Sequence, residues 1–571
     1  MRQILHRGTI FGCALALVIC ATTWLASAAV AADSIYWTSY TTPGGIRLGD
    51  LGGSGAHDLF TGESSPEGVA IDPAAGKIYW ADTASGAIRV ANLDGTGARD
   101  LYTGETQPSG VAIDPSANLI YWADAVARTG TIRVGNLDGS GSARTLFAGE
   151  SYPVGVAVDP AAGTIYWGSY DTFKIRVGNL NGTGARDLFT GENYPTQLAV
   201  DSAAGKIYWT NEFNGNVRVG NLNGTGATSL YTGEGDVGGV AIDPAAGKIY
   251  WTNWNLGTVR IGSLDGSAPA QSLYTGQTDP WMVALLRAPL GTGVPQVSGS
   301  RAVGQMLACS PGTWATDFLS GFLYRAPQIL AYQWTVNGTP IVGATTSSVV
   351  ASTPGDYQCE DIATNAAGST TQTSAPVSIP LPLPLLGRKV NAAPVSGNVF
   401  LLVNGRLVSL TAATQIRSGA VVDALRGTIS LTSATGKGKK TQSGTFGGAI
   451  FEVTQAKAGR NKGLTTLTLV NHAFKGAPSY ATCKAHKAGD ASAAAASKKV
   501  LQLLHASAKG KFKTSGRYAA ATVRGTKWTI ADRCDGTLTR DITDSVAVTD
   551  FVRHKTIVLH AGQSYLARKP R

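Results

Sequence analysis

The pair Tyr-Trp occurs six times in this sequence at spacings of 42 to 45 residues, each time after Ile and before a small residue. A period near 42 residues is that of a four-stranded β-propeller blade. Each unit contains four short apolar segments, separated by turn pairs such as Asp94-Gly95 that permit tight hairpins. The repeat therefore predicts an all-β fold with six blades, marked by Trp37, Trp80, Trp122, Trp167, Trp209 and Trp251.

The inner strands predict how the circle of blades closes. The opening unit has no first strand before Trp37, whereas the five later units have one, ending at Ile71, Ile113, Val158, Val200 and Ile242. The missing strand occurs after the sixth unit, as Val283-Ala284-Leu285. We expect this last strand to complete the blade that the first unit began, so that no sheet edge is left exposed.

These units resemble the YWTD repeats of the low-density lipoprotein receptor family, with matches such as Tyr79-Trp80-Ala81-Asp82 and Leu93-Asp94-Gly95-Thr96. The resemblance covers residues 33–288 and implies a six-bladed YWTD β-propeller with a binding role. The sequence departs from the family at the last motif position, which is Asp, Ser or Asn in two blades each. No modules of the receptor type accompany the repeats, so the resemblance implies no particular ligand.

Two charged positions recur with the repeat. An arginine lies at the same place in each third strand, at Arg47, Arg89, Arg133, Arg176, Arg218 and Arg260. A glutamate follows Gly at Glu63, Glu105, Glu150, Glu192 and Glu234, with Gln277 in the sixth place. Because both are regular, we interpret the arginines as pairing with nearby Asp and Asn positions rather than binding an anion. The glutamates are interpreted as contacts to loop backbone rather than cation ligands.

The symmetry breaks in the loops that join strands two and three and in those that join one blade to the next, which share one face. Blades two and three carry small or flexible residues there, whereas blades four, five, six and one carry aromatic residues beside amides and carboxylates. Such surfaces suit glycan stacking or a protein hot spot; the alternative is that the rings fold onto the rim. The candidate partner-binding residues are Tyr40, Tyr152, Tyr170, Phe173, Tyr194, Phe213, Trp254 and Trp281.

Catalytic motifs are absent from the sequence. The repeat region has one histidine, His57, and the chain contains no His-Glu-x-x-His, Gly-x-Ser-x-Gly or phosphate-loop motif. We therefore predict a binding protein that is not an enzyme and takes no cofactor or metal. The alternatives are a propeller hydrolase or lactonase and a purely structural cell-wall component.

Residues 1–32 have the pattern of a secretory signal peptide, with Arg2 and Arg7 before an apolar stretch that ends in small residues. We expect a bacterial protein that is secreted and associated with the cell surface or wall. No later segment of the sequence is long and apolar enough to span a membrane.

Residues 296–380 carry Cys309, Trp334 and Cys359 with short alternating strands, the spacing of an immunoglobulin-like sandwich. They resemble bacterial Ig-like surface repeats, which implies a spacer role and a disulfide between the two cysteines.

The C-terminal module, residues 388–571, follows a proline-rich hinge. Residues 381–571 hold 29 Lys+Arg against 8 Asp+Glu, whereas the rest of the chain holds 19 against 29. Segments such as Asp535-Gly536-Thr537 resemble the FecR-like β domain of envelope proteins, which implies a β-rich fold and a bridge between Cys483 and Cys534. The charge predicts adhesion to an anionic cell-wall polymer. Nucleic acid is not expected, because no nucleic-acid-binding motif is present.

Overall fold

The computed structural model describes residues 33–483, 498–523 and 526–570, so the predicted signal peptide lies outside the described residues. The described chain is all-β, as predicted, with short 3-10 turns at Pro115–Ala117, Leu319–Gly321 and Tyr480–Thr482. It divides into two compact units. One contains residues 33–296, Pro311–Gln333 and Cys359–Ser374, and the other contains Val297–Ser310, Trp334–Gln358 and Ala375 onwards.

No helix in the described ranges has the length and apolar character needed to cross a bilayer.

The first unit contains six antiparallel blades. Blade 1 contains β1 (Ser34–Ser39), β2 (Gly44–Asp50) and β3 (His57–Glu63). Blade 2 contains β4 (Pro66–Asp72), β5 (Lys77–Asp82), β6 (Ala87–Asn92) and β7 (Arg99–Thr103). Blade 3 contains β8 (Pro108–Asp114), β9 (Leu119–Asp124), β10 (Gly130–Asn136) and β11 (Arg144–Glu150). Blade 4 contains β12 (Pro153–Asp159), β13 (Thr164–Ser169), β14 (Lys174–Asn179) and β15 (Arg186–Thr190).

Blade 5 contains β16 (Pro195–Asp201), β17 (Lys206–Asn211), β18 (Asn216–Asn221) and β19 (Thr228–Tyr231). Blade 6 contains β20 (Val237–Asp243), β21 (Lys248–Asn253), β22 (Thr258–Ser263) and β23 (Gln271–Tyr274), and it is followed by β24 (Pro280–Leu286). Strand β24 pairs with β1, in a register that places Leu286 opposite Ser34 and Val283 opposite Trp37. The predicted closure is therefore confirmed, and the fold is a six-bladed β-propeller.

Adjacent blades pack through the repeated tryptophans, which are fully buried. The ring of Trp80 stacks on Phe60 of the preceding blade at 5.1 Å between centroids, and equivalent pairs recur around the circle at 4.8–5.3 Å. The inner strands of blades 2 to 6 are buried along their whole length, including the polar residues at their ends. These strands approach so closely that a Cβ at Gly110 would lie 2.5 Å from the Cα of Gly155.

A segment beyond the repeat closes one end of the central channel. Strand β29 (Leu323–Tyr324) pairs in parallel with β24, and the turn Leu319–Gly321 contacts the inner strands of blades 3 to 6. The Oγ of Ser320 donates to the Val200 carbonyl at 2.8 Å, near the end of an inner strand. Phe322, Leu323 and Tyr324 are at most 1% exposed. We call residues 318–324 the plug; it lies at the end opposite the loops that carry the candidate aromatic residues.

The remaining strands before the C-terminal module range from two to eleven residues in length. They are β25 (Gly291–Gly293), β26 (Gln296–Gly299), β27 (Met306–Ser310), β28 (Thr313–Trp314), β30 (Ile329–Val336), β31 (Thr339–Pro340), β32 (Ser348–Val350), β33 (Gly355–Asn365), β34 (Gly368–Thr373) and β35 (Val377–Ile379). Strand β27 pairs with β32, β30 with β31, and β33 with both β34 and β35. Cys309 and Cys359 are disulfide-bonded.

The C-terminal module forms one extended β-sheet system around its own apolar core. Its strands are β36 (Lys389–Val403), β37 (Arg406–Ser409), β38 (Thr414–Arg417), β39 (Ala420–Ala434), β40 (Thr441–Gly447), β41 (Ile450–Gln455), β42 (Thr465–Leu469), β43 (Val500–Lys509), β44 (Phe512–Ser515), β45 (Ala519–Val523), β46 (Thr526–Arg533), β47 (Gly536–Asp541), β48 (Ser545–Asp550), β49 (Lys555–His560) and β50 (Ser564–Arg568). The implied bridge between Cys483 and Cys534 is present.

Candidate functional site

The eight candidate aromatic residues all lie on one face of the propeller, which carries the loops between strands two and three and the connections between blades. We call it the loop face. The structure gathers these residues into two clusters. The first contains Tyr152, Tyr170, Phe173, Tyr194 and Phe213, and the second contains Tyr40, Trp254 and Trp281.

In the first cluster the rings contact one another mainly edge to face. Tyr194 lies 4.9 Å from both Phe173 and Phe213, at interplanar angles of 86° and 79°. Tyr170 lies 4.8 Å from Tyr194 and 5.5 Å from Tyr152. The structure thus brings five of the eight predicted residues together, and each ring packs against its neighbours, as the alternative interpretation required.

The second cluster lies across blades 1 and 6. The ring of Trp281 is 5.7 Å from Tyr40 and 6.4 Å from Trp254. Tyr40 is 40% exposed, and Phe213 of the first cluster is 53% exposed. The loop face therefore presents accessible aromatic surface in both clusters, a property that favours protein contacts.

Glu212 joins the two clusters. It occupies the place in blade 5 that Tyr170 occupies in blade 4 and Trp254 in blade 6, and its side chain is buried. Its Oε2 accepts a hydrogen bond from the Tyr170 hydroxyl at 2.7 Å. Burial raises the pKa of Glu212, and the hydrogen bond from Tyr170 and the indole of Trp254 lower it in part.

Glu67 is a second buried carboxylate at this site, which the sequence reasoning missed. It is the second residue of inner strand β4, and its side chain accepts a hydrogen bond from the hydroxyl of Ser109. Burial raises the pKa of Glu67 to about 7, opposed chiefly by the hydrogen bond from Ser109. Burial and the charges of Glu67, Tyr152 and Glu212 raise the pKa of Tyr40 to about 12, which places these groups together.

A comparison of the repeats at one position contains the signal that reveals Glu67. The second residue of each inner strand is Glu67, Ser109, Val154, Thr196, Gly238 or Trp281. Such variety in an otherwise regular repeat marks a place where the scaffold does not dictate the residue. The loop face is thus asymmetric in its centre as well as in its loops.

Three of the candidate residues adopt left-handed backbone conformations. The φ angles are 47° at Tyr152, 57° at Phe173 and 50° at Tyr194. The position of Phe173 is glycine in blades 5 and 6, at Gly215 and Gly257. Bulky residues rarely adopt positive φ, and residues held in this region are concentrated at functional sites. The same conformation recurs at the equivalent positions Ser65, Asp279 and Arg128, with φ angles of 61°, 39° and 66°, so the turns of the repeat impose it and the aromatic residues adopt it there.

The repeated arginines and glutamates pair with each other. Each of the five repeated glutamates accepts a hydrogen bond from the indole of the blade tryptophan in the next blade, at 2.8–3.1 Å. It also lies 2.6–3.5 Å from the arginine of that blade. Each arginine in turn lies 5.5–6.0 Å from the centre of a tryptophan ring. The structural interpretation of the arginines is right, but their main partners are these glutamates, with aspartates such as Asp100 added in some blades.

Blade 1 departs from this arrangement because Gln277 replaces the glutamate. The indole Nε1 of Trp37 is buried and has no hydrogen-bond partner among the described residues. Arg47 pairs instead with Asp58 at 3.0 Å. Within the described ranges, no group of three or more His, Cys, Asp or Glu side chains could hold a metal ion.

Comparison with known proteins adds little beyond the fold. No protein-family model matches the sequence, and no curated protein matches it. A chain of the nidogen/laminin complex is 21% identical and has a TM-score of 0.40, covering 44% of this chain and 97% of that one. TolB from Acinetobacter baumannii is 14% identical with a TM-score of 0.38, covering 44% of this chain and 66% of that one. The propeller assignment therefore rests on the strand pairing described above.

Proposed function

We propose that this chain is an exported recognition protein that binds a partner protein through the loop face and catalyses no reaction. The observation that carries the proposal is the asymmetric loop face, where aromatic residues cluster on four of the six blades of a regular scaffold. The regular charged positions are occupied by structural pairs, which leaves the irregular positions for a ligand.

A protein partner fits the loop face better than a glycan. Sugar rings stack on free, flat aromatic faces, whereas the first cluster packs edge to face and includes Phe213, which is 53% exposed. Leu256, in the loop of blade 6, is 59% exposed. Exposed apolar side chains around half-buried tyrosine and tryptophan are the composition of protein hot spots.

The test is a selection from a random peptide display library on the full-length chain. It is run beside a variant with Tyr170→Ala, Tyr194→Ala and Trp254→Ala. A matched control carries Ser85→Ala and Arg128→Ala in the exposed loops of blades 2 and 3. We expect enriched peptides to bind the parent and the control and to lose at least tenfold affinity for the aromatic variant. Peptides that bind all three equally, or a glycan array that alone gives site-dependent binding, would contradict the proposal.

The middle module supports the proposal of an Ig-like spacer. Trp334 is fully buried, and its indole donates to the Thr346 carbonyl at 2.9 Å. The hydroxyl of Tyr357, two residues before Cys359, donates to the Thr353 carbonyl at 3.0 Å. A tyrosine at this place that bonds backbone a few residues upstream is a feature of immunoglobulin sandwiches.

The basic FecR-like module is proposed to associate with an anionic polymer of the envelope. Lys437, Lys439 and Lys440 are exposed in one hairpin, and Lys498, Lys509 and Lys511 are also exposed. Exposed charges interact weakly at high ionic strength because salt screens them. Binding of the full-length chain to purified cell walls should therefore fall steeply between 0.05 and 0.5 M NaCl, on the order of tenfold or more; unchanged binding would exclude electrostatic attachment.

A further inference from the structure

The centre of the loop face contains buried carboxylates that have no basic partner among the described residues. Glu67 and Glu212 are only 8% and 5% exposed, yet neither has an arginine, lysine or histidine as an ion-pair partner among the described residues. The groups that face Glu67 are hydroxyls, an indole and Glu212. The basic residue beside the first cluster, Lys174, is paired with Asp187 at 2.7 Å.

The other buried carboxylates of the propeller show how unusual this is. The five repeat glutamates each have an arginine partner. Aspartates at the turns after the inner strands, such as Asp72 and Asp201, accept hydrogen bonds from backbone N–H groups of the turn. Glu67 and Glu212 have neither kind of partner; they lie beside the rings of Trp281, Tyr40 and Tyr170. Burying a carboxylate without a counter-charge is unfavourable, so this arrangement has no evident structural benefit.

Resting on the proposed function, we infer that the loop-face site takes a cationic side chain, lysine or arginine, from the partner protein. The rings of Tyr40 and Trp254 lie 5.7 and 6.4 Å from that of Trp281, and aromatic rings attract ammonium and guanidinium groups when water is excluded. The carboxylates of Glu67 and Glu212 supply acceptors for charge-assisted hydrogen bonds. The aromatic rings and the two carboxylates together form a site whose negative charge is complementary to that of a lysine or arginine side chain.

The titration of Glu67 adds a readout that a purely apolar site would not have. Burial raises its pKa to about 7, and the charged or titratable groups around it are Glu212, Tyr40 and Tyr152. Since an incoming cation favours the ionised carboxylate, affinity rises with pH through this range. Replacement by glutamine removes this dependence.

The experiment uses synthetic versions of the enriched peptides and the full-length chain at pH 8. In each peptide every lysine or arginine is replaced in turn by norleucine, which keeps the aliphatic stem. We expect one replacement to weaken binding at least tenfold in the parent, and much less in Glu67→Gln and Glu212→Gln, because the carboxylate partner is already missing. Asp171→Asn, which removes an exposed charge from the same face, is the matched control and should change affinity less than threefold.

The outcomes separate the inference from the proposed function. Peptides that bind through the aromatic residues but carry no basic residue, or tolerate norleucine at every position, would overturn the inference and leave the binding role intact. If no enriched peptide lost affinity for the variant with Tyr170→Ala, Tyr194→Ala and Trp254→Ala, both the inference and the proposed function would be overturned. Equal affinity at pH 5.5 and pH 8 in the parent would also count against a cation over Glu67.

Discussion

Replacing Glu67 by glutamine should stabilise the propeller at alkaline pH. Burial raises the pKa of Glu67 from 4.5 to about 7, so the folded state favours the protonated carboxyl. The stabilisation from this proton is fully present below pH 4.5 and is lost as the pH rises through about 7. Each pKa unit corresponds to about 1.4 kcal/mol, so the ionised carboxylate costs about 3 kcal/mol of folding free energy at pH 8. Glutamine matches the protonated acid in shape and cannot ionise.

The assay is urea unfolding followed by tryptophan fluorescence, because six of the eight fully buried tryptophans lie in the blades of the propeller. Glu67→Gln should unfold at a higher urea concentration than the parent at pH 8, by about 3 kcal/mol, and the two should converge at pH 4.5. The control Glu150→Gln removes the negative charge that pairs with Arg176 and should destabilise by about 2 kcal/mol. If Glu67→Gln were destabilising at pH 8, Glu67 would have a stabilising counter-charge, and the reasoning about the loop face would fail.

Three further changes test the scaffold. Gln277→Glu should add a partner for Trp37 and Arg47 and raise stability by about 1 kcal/mol in thermal unfolding, whereas an unchanged midpoint would show that the glutamate does not reach them. Tyr324→Ala should cost about 4 kcal/mol in urea unfolding of the propeller, because the plug side chain is fully buried; a loss below 1 kcal/mol would mean that the plug does not contribute to propeller stability. Reduction of the Cys483–Cys534 bridge, which spans 51 residues, should destabilise the C-terminal unit by about 4 kcal/mol, measured by calorimetry with and without reductant against Cys483→Ser.

Most of the propeller could be predicted because its information is periodic. Each repeat contains the same pattern of four strands. Because the first strand is missing before Trp37 and an equivalent strand follows the sixth unit, the point of closure could also be predicted. The arginine partners were only partly predicted, since they lie on the preceding blade. Four of the five pairs are separated by 26 residues, as Glu63 and Arg89 are, and this recurrence is a signal that could have identified them.

The parts that could not be predicted are those that occur once. The plug follows the repeat, and its apolar residues are indistinguishable from the core of the middle module until the structure shows Leu323 paired with β24. Glu67 lies within an inner strand, and the repeat pattern predicts only the residues that the inner strands have in common. The aromatic arc was visible in the sequence because it interrupts the repeat, but the backbone strain at Tyr152 and Tyr194 was not.

The pairing of β24 with β1 determines the order in which the strands can pair while the chain is being synthesised. The chain emerges from its N-terminus, so blades 2 to 6 can each assemble from neighbouring residues as they appear. Strand β1 must wait more than 240 residues for its partner, since Ser34 pairs with Leu286. The channel stays unsealed until the plug has followed, at Tyr324. The first strand synthesised is therefore among the last to be paired on both sides. Until then the incomplete chain has an unpaired sheet edge, which a chaperone could protect from aggregation.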